Sequence, residues 1–226
     1  MRVMAAAPIL PQDPTLDEVR AALAPLIARN AGFDGWRPAA VEMAAAQLGL
    51  APEIAALAFS GGAVAMIDAW FAHIDSAMLA ACPPDRLGPM KVREKITALV
   101  EARLDVLAPE REALRRALAI LAMPQNMTHA AKLCWRAADL MWRAAGDTAV
   151  DYNHYTKRSL VAGIYAATLL VFLDDDSEGQ ADTRAFLARR VEGVMRFEKA
   201  KARFSANAER RPSLARFVGR LRYHAR

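Results

Sequence analysis

The stretch GDTAVDYNHYTKRSLVAGIYAATLLVFL, residues Gly146 to Leu173, gives the strongest indication of the fold. A polar, tyrosine-containing entrance leads into fourteen residues, Leu160 to Leu173, that carry no charge. This segment is too apolar for a surface helix, and it is shorter than the roughly 20 apolar residues that a membrane span needs. It therefore predicts a helix buried in the middle of a helical domain.

Two apolar stripes run along this predicted helix. One consists of Leu160, Ile164, Ala167, Leu170 and Val171, and the other of Val161, Tyr165, Thr168 and Phe172. A helix that is apolar on two sides has two surfaces to cover. We expect one surface to meet the protein core and the other to meet a partner subunit or a lipid.

The composition extends the helical prediction to the whole chain. The 226 residues are 54% hydrophobic and include only 11 glycines. Alanine, leucine, arginine and glutamate dominate, and all four are strong helix formers. We therefore predict an all-α protein with one well-filled core. Cys82 and Cys134 are expected to be reduced thiols rather than a disulfide.

The first 60 residues predict a flexible N-terminus, residues 1–15, followed by a three-helix head, residues 16–60. The first segment has no pattern of an export or organelle signal. In the head, a helix ending near Leu48, a turn at Gly49 and a short helix near 51–59 have the outline of a helix-turn-helix. The short helix contains acidic Glu53 and no cation, whereas DNA reading needs basic or amide side chains. We expect no nucleic-acid binding.

Residues 61–208 predict a helical core without catalytic or metal-binding motifs. The four histidines are scattered, and His73 is interpreted as structural. An EF-hand loop beginning at Asp174 would need glutamate at position 185, which is alanine. Trp135 and Trp142 share one helix side, a spacing more typical of core packing than of a ligand site. No catalytic residue, metal or cofactor is predicted, and the chain is not expected to be an enzyme.

The carboxyl end predicts a cationic amphipathic helix, residues 209–226. From residue 201 onward there are eight basic residues and one glutamate, whereas the whole chain has a net charge of +5. An apolar arc flanked by cations is typical of a helix that lies on an anionic membrane; docking onto the protein's own domain is the alternative. The predicted membrane-binding residues are Leu214, Arg216, Phe217, Val218, Arg220, Leu221 and Arg222.

Several segments resemble the Coq-nine family, the lipid-binding accessory protein of ubiquinone biosynthesis. They include KVREKITALVEARL, LCWRAADLMWRAAGD, DYNHYTKRSLVAGIYAATLL and DTRAFLARRVEGVM, and the resemblance spans about residues 20 to 197. It implies a TetR-like helical bundle that has lost DNA reading, a hydrophobic pocket for an isoprenoid lipid and an amphipathic final helix. It also implies assistance to the hydroxylase that acts on demethoxyubiquinone.

This resemblance gives two sets of candidate site residues. An isoprenoid slot is expected at Leu140, Met141, Leu160, Ile164, Ala167, Val171 and Leu187, although the same space could hold another helix. The hydroxylase is expected to dock at His154, Tyr155, Lys157 and Arg158. His154 stands where the family usually has tryptophan, which puts the strength of that docking in question.

The sequence thus predicts a non-enzymatic protein that binds an isoprenoid lipid or ubiquinone precursor and presents it to the demethoxyubiquinone hydroxylase. It is expected to be a homodimer, cytoplasmic and peripheral to the inner membrane of a bacterium. The main alternative is a TetR-like, ligand-responsive transcriptional regulator whose basic tail contacts DNA. An unrecognised enzyme on a helical scaffold is a third hypothesis, for which no reaction can be named.

Overall fold

The computed structural model describes residues 11–147 and 152–208, and the side chains of 152–154, 195 and 197–208 are outside that description. The described ranges are helical and contain no strand, which confirms the all-α prediction. The helices are α1 (Leu16–Asp34), α2 (Pro38–Leu48), α3 (Pro52–Ala58), α4 (Gly62–Ala81), α5 (Pro84–Leu87), α6 (Val92–Leu107), α7 (Arg111–Leu121), α8 (Met127–Ala144), α9 (Tyr152–Leu173) and α10 (Ala181–Ala208).

Helices α1 to α3 form the head. A capping box starts α1, since the Thr15 hydroxyl accepts from the Glu18 amide while the Glu18 carboxylate accepts from the Thr15 amide. Gly49 ends α2 in the left-handed region (φ 65°), where glycine carries no steric cost. The turn brings α3 against α1 and α2, as in a helix-turn-helix.

The head is joined to the rest of the molecule by buried contacts. Helix α1 packs along α4 and α7, and the Trp36 indole N–H donates to the Ala113 carbonyl at 3.1 Å. Trp36 also contacts Trp70 of α4, with ring centroids 5.3 Å apart. One apolar core therefore runs from the head into the following helices.

Helices α8 and α9 are antiparallel neighbours. The pairs Cys134–Ala162 and Trp142–Lys157 are hydrogen-bonded across them at 3.3 and 2.9 Å. Helix α9 also packs on α10, α6 and α7, so it lies at the centre of the core domain. Both cysteines are free thiols, as predicted.

The two stripes of α9 have different environments. Val161, Tyr165, Thr168 and Phe172 are all buried, so this stripe is the core side. The other stripe is mixed, because Ile164 is buried whereas Leu170 is 63% exposed. By length and composition, Gly62–Ala81 and Tyr155–Leu173 could each cross a membrane, but the buried side of each packs into the core like that of any core helix.

The predicted terminal segments fall largely outside the described residues. Residues 1–10 of the predicted flexible N-terminus and the whole predicted amphipathic helix, 209–226, are among them. The seven predicted membrane-binding residues lie in the second segment, so their role stays a prediction.

Candidate functional site: two apolar cavities beside the central helix

An apolar cavity of about 390 Å³ lies where α6, α8, α9 and α10 meet. We call it the Lys157 cavity. Each helix contributes apolar side chains because its core-facing positions recur at helical spacing. The lining residues are Val92, Arg93, Ile96, Trp142, Ala145, Gly146, Asp147, Thr156, Lys157, Leu160, Val161, Ile164, Val191 and Val194.

One edge of the Lys157 cavity is polar. The Lys157 ammonium lies 2.7 Å from an Asp147 carboxylate oxygen and 5.5 Å from the centre of the Trp142 ring. The Trp142 indole N–H donates to the Lys157 carbonyl. Burial alone would raise the pKa of Asp147, but hydrogen bonds and charges from Lys157 and Arg158 lower it. The edge is therefore an ion pair beside a space that is lined mainly by apolar side chains.

The structure distributes the seven predicted lipid-binding residues over different environments. Leu160 and Ile164 line the Lys157 cavity. Leu140, Ala167 and Val171 are half-buried and outside its walls. Met141 and Leu187 are fully buried in the core and line neither this cavity nor the second one described below, so their contact with a ligand stays a prediction. Helical periodicity shows that such residues are inside, but not whether a void or a neighbour faces them.

The sequence favours core packing over a ligand site for Trp142. Its half-buried side chain packs against the core and also lines the Lys157 cavity. The sequence interpretation missed Val92 of α6 and Val191 and Val194 of α10. They come from helices distant in sequence, so no local pattern joins them to α9.

The predicted partner-binding residues are also separated. Tyr155 is exposed and stacks on Trp135, with centroids 6.0 Å apart. Arg158 is only 2% exposed, and its guanidinium binds Asp139 at 2.5 Å and Asp147 at 3.2 Å. We therefore correct Arg158 from a docking residue to a buried ionic link between α8 and α9. The side chain of His154 lies outside the described residues.

A second apolar cavity, of about 500 Å³, lies on another side of α9, against α4, α7 and α8. We call it the Tyr165 cavity. Its rim includes Met127 and Leu170, which are 61% and 63% exposed. The lining residues are Phe71, Leu118, Leu121, Ala122, Met127, Ala130, Ala131, Leu133, Cys134, Tyr165, Ala166, Leu169 and Leu170.

The two cavities are lined mainly by apolar side chains. Among residues 11–147 and 152–208, no group of three or more His, Cys, Asp or Glu could hold a metal ion. His73 lies in a separate polar cavity between α1 and α4, and burial lowers its pKa. Apolar cavities of these sizes fall within the range of small-molecule sites.

The family comparison matches helices that contribute to the walls of both cavities. The COQ9 family model matches residues 127–198, which span α8, α9 and most of α10. The chain is 34% identical over 167 residues to the mitochondrial ubiquinone biosynthesis protein COQ9 of Rattus norvegicus. The resemblance to the COQ9 family is confirmed.

The relatives align with different lengths of this chain. The alignment covers 71% of this chain and 54% of the rat protein, so the chain spans about half the length of that relative. COQ9 of Homo sapiens is 43% identical over 96 residues, covering 42% of this chain and 30% of the human protein. COQ9 of Bos taurus is 31% identical over 167 residues, covering 71% and 52%.

The solved structures confirm the TetR-like fold. A TetR transcriptional regulator from Nitrosomonas europaea superposes with a TM-score of 0.62 at 25% identity. The superposition covers 76% of this chain and 95% of the regulator. The bundle and the helix-turn-helix-like head of this COQ9-like chain are thus those of the TetR class.

The comparisons contradict the predicted location. The rat, bovine and human relatives are all named as mitochondrial proteins, which points away from a bacterial inner membrane. The sequence interpretation relied on the absence of a targeting pattern in the first fifteen residues. That absence was not a sound basis for the location.

Proposed function

We propose that this chain is a non-enzymatic accessory protein of ubiquinone biosynthesis that binds an isoprenoid quinone intermediate in the Lys157 cavity. The observation that carries the proposal is the position of that cavity, whose walls include α8, α9 and α10. These are the helices of the COQ9 match, and the relatives are named for ubiquinone biosynthesis. Following their names, we propose a mitochondrial location.

The Lys157 cavity has the chemistry that an isoprenoid quinone requires. Burying an apolar chain stabilises a complex by about 0.8 kcal/mol per CH₂, so the walls of Ile96, Ile164 and Val191 favour a prenyl tail. At the polar edge, the Lys157 ammonium has hydrogens beyond the one directed at Asp147. It can therefore donate to a ring oxygen, while Trp142 provides an aromatic face.

The proposed function also includes binding partners. We propose that the lipid comes from an anionic membrane surface and is presented to the demethoxyubiquinone hydroxylase. Half-buried Lys157 lines the Lys157 cavity, and exposed Tyr155 precedes it by two residues on α9, so a partner that contacts Lys157 would lie close to the bound lipid. The TetR-like bundle is also consistent with a homodimer, which we include in the proposal.

The test is mass spectrometry of lipids that co-purify with the full chain. We expect isoprenoid quinones or their prenylated precursors with the unaltered protein and their loss with Leu160→Trp, which fills the Lys157 cavity. Ser159→Trp is the matched control, because Ser159 is exposed on the same helix and does not line the cavity. Protein that carries no prenylated lipid, or equal lipid in both variants, would refute the proposal.

A transcriptional regulator is the alternative that the structural neighbour's name suggests. The head argues against it, because the exposed side chains of α2 and α3 include Glu42, Met43, Glu53, Ile54 and Leu57 and no cation. Protein–DNA affinity depends on neutralising phosphates with Lys and Arg. Sequence-selective, salt-dependent binding of duplex DNA would favour the regulator.

A further inference from the structure

Helices α2 and α3 of the head have an outer surface that is largely apolar. The two helices pack on each other, so their exposed sides adjoin. Met43, Ile54 and Leu57 are 46%, 39% and 60% exposed there. A group of exposed large apolar side chains is typical of a surface that binds a partner. We call the exposed side chains of α2 and α3, which also include Glu42 and Glu53, the head surface.

The charge of the head surface is negative. Glu42 and Glu53 are its charged residues, and the closest cation in the sequence is Arg37, which precedes α2. Across the whole head, residues 16–60, five acidic and three basic residues give a net charge of −2. A partner that covers the apolar side chains should therefore carry cations beside its own apolar face.

The chain itself contains a segment with that chemistry. The predicted amphipathic helix, 209–226, lies outside the described residues. Its sequence places Leu214, Phe217 and Leu221 on one arc, and residues 201–226 contain eight basic residues and one glutamate. Packing the apolar face of an amphipathic helix on an apolar protein surface is a common mode of recognition. The segment and the head surface are thus complementary in charge and in hydrophobicity.

The course of α10 carries this segment away from the head of its own copy. Arg184, near the start of α10, pairs at 2.9 Å with Asp105 in the last turn of α6. Val194, further along α10, lines the same cavity as Val92, the first residue of α6. The head is at the other end of α6, since α1 contacts α7 and residues 108–110, which directly follow α6. Helix α10 therefore runs from the head side of the core domain to the opposite side.

The segment after α10 is too short to return to that head. An α-helix rises about 1.5 Å per residue, so Ala208 lies about 36 Å along α10 from Arg184. The 18 residues that follow Ala208 span about 27 Å as a helix. The segment of one copy therefore reaches the head of a second copy rather than its own.

We propose that the head surface binds residues 209–226 of a second copy of the chain. The apolar arc of the segment covers Met43, Ile54 and Leu57, and its arginines pair with Glu42 and Glu53. An arc that covers a head cannot insert into a bilayer at the same time, so the two contacts exclude each other. This inference goes beyond the proposed function and does not depend on a ligand in the Lys157 cavity.

Limited trypsin cleavage measures the contact, because trypsin cuts after accessible arginines and a bound segment is protected. The experiment uses full-length protein without lipid, and intact-mass spectrometry follows loss of the segment. We expect the head variant Glu42→Lys/Glu53→Lys to lose it about tenfold faster than the unaltered chain. Glu178→Lys/Asp182→Lys is the matched control, since both residues are exposed, lie outside the head and change the charge equally.

A second full-length variant provides a rescue. In Arg216→Glu/Arg220→Glu/Arg222→Glu the segment is acidic and lacks three cleavage sites, whereas the head surface is unaltered. An excess of this variant should restore slow cleavage of the basic segment of the head variant, because its head supplies the missing carboxylates in a second copy.

The outcomes distinguish this contact from the proposals above. Equal cleavage rates in the head variant and the control, or no rescue in the mixture, would overturn the inference and leave the lipid and homodimer proposals standing. For the unaltered chain, cleavage should slow as the protein concentration rises, because the contact joins two copies. A rate that does not depend on concentration would overturn the inference as well.

Discussion

Asp75 has the most demanding role among the described charged residues. It is the carboxylate shared by fully buried Arg103 and partly buried Arg136. Asp75→Asn would leave the Arg103 guanidinium buried without a countercharge. We expect a loss of about 3–5 kcal/mol in the free energy of unfolding, measured by urea denaturation.

Asp68→Asn is the matched control for Asp75→Asn. Asp68 pairs with the same Arg136 at 2.6 Å, but its side chain is about half exposed. An exposed ion pair contributes roughly 0–1 kcal/mol, so this variant should unfold almost as the unaltered chain does. Equal losses in the two variants would show that burial of Arg103 is not the source of the effect.

Asp175 makes the stability of the folded protein depend on pH. Its carboxylate accepts from the amides and hydroxyls of Ser177 and Thr183 at 2.5–2.8 Å. Burial alone would raise the pKa of Asp175, but these hydrogen bonds lower it far below its usual value. A lowered folded-state pKa contributes stability that is complete above the unfolded value, about 3.9, and is lost as pH falls below it.

The measurement is thermal unfolding between pH 6 and pH 2.5 for the unaltered chain and for Asp175→Asn. We expect the variant to be less stable at pH 6, with the difference shrinking as pH falls below about 4. Other carboxylates also titrate in this range, so the difference between the two curves is the quantity to compare. A difference that does not change with pH would contradict the assignment.

Helix α9 shows how much the sequence could predict. The charge-free run identified a central helix, and the stripe of Val161, Tyr165, Thr168 and Phe172 is indeed its core side. The other stripe was not predictable in detail. Whether Ile164 meets a void and Leu170 meets solvent depends on α10 and α7, whose placement beside α9 is set by the whole bundle.

Two substitutions on α9 test this division. Phe172 is fully buried and its ring lies 4.6 Å from the Arg111 guanidinium carbon, so Phe172→Ala should cost about 3–5 kcal/mol of unfolding free energy. Leu170→Ala, on the same helix but largely exposed, should change it by about 0.5 kcal/mol or less. Chemical denaturation of both variants measures these changes in unfolding free energy. A large loss in Leu170→Ala would mean that a partner covers that face in solution.

At the scale of the whole molecule, the fold class was predictable and the cavities were not. Composition, helix starts such as Thr15 and the Gly49 turn are local signals, and they gave an all-α bundle with a helix-turn-helix-like head. The Lys157 cavity joins Val92 with Val194 across a hundred residues of chain. A void results from the packing between helices, so no single segment of the sequence predicts it.

The charge of the whole molecule is divided in a way that bears on the membrane prediction. Residues 201–226 contain eight basic residues and one glutamate, so with a total of +5 the remaining residues carry a net negative charge. An anionic surface should therefore repel the body of the protein weakly and attract only its carboxyl end. Each basic residue near such a surface contributes about 1 kcal/mol, and salt screens that attraction.

Vesicle co-sedimentation tests this asymmetry. We expect the full chain to bind vesicles that contain phosphatidylserine at low salt, and to lose that binding when residues 212–226 are deleted. Replacing Arg216, Arg220 and Arg222 with glutamine should weaken binding mainly at low salt, whereas replacing Leu214, Phe217 and Leu221 with serine should weaken it at every salt concentration, because apolar insertion is not screened. Both replacements keep the length of the segment, so they are the controls for the deletion. A deletion that leaves binding intact would place the membrane contact on the body of the molecule instead.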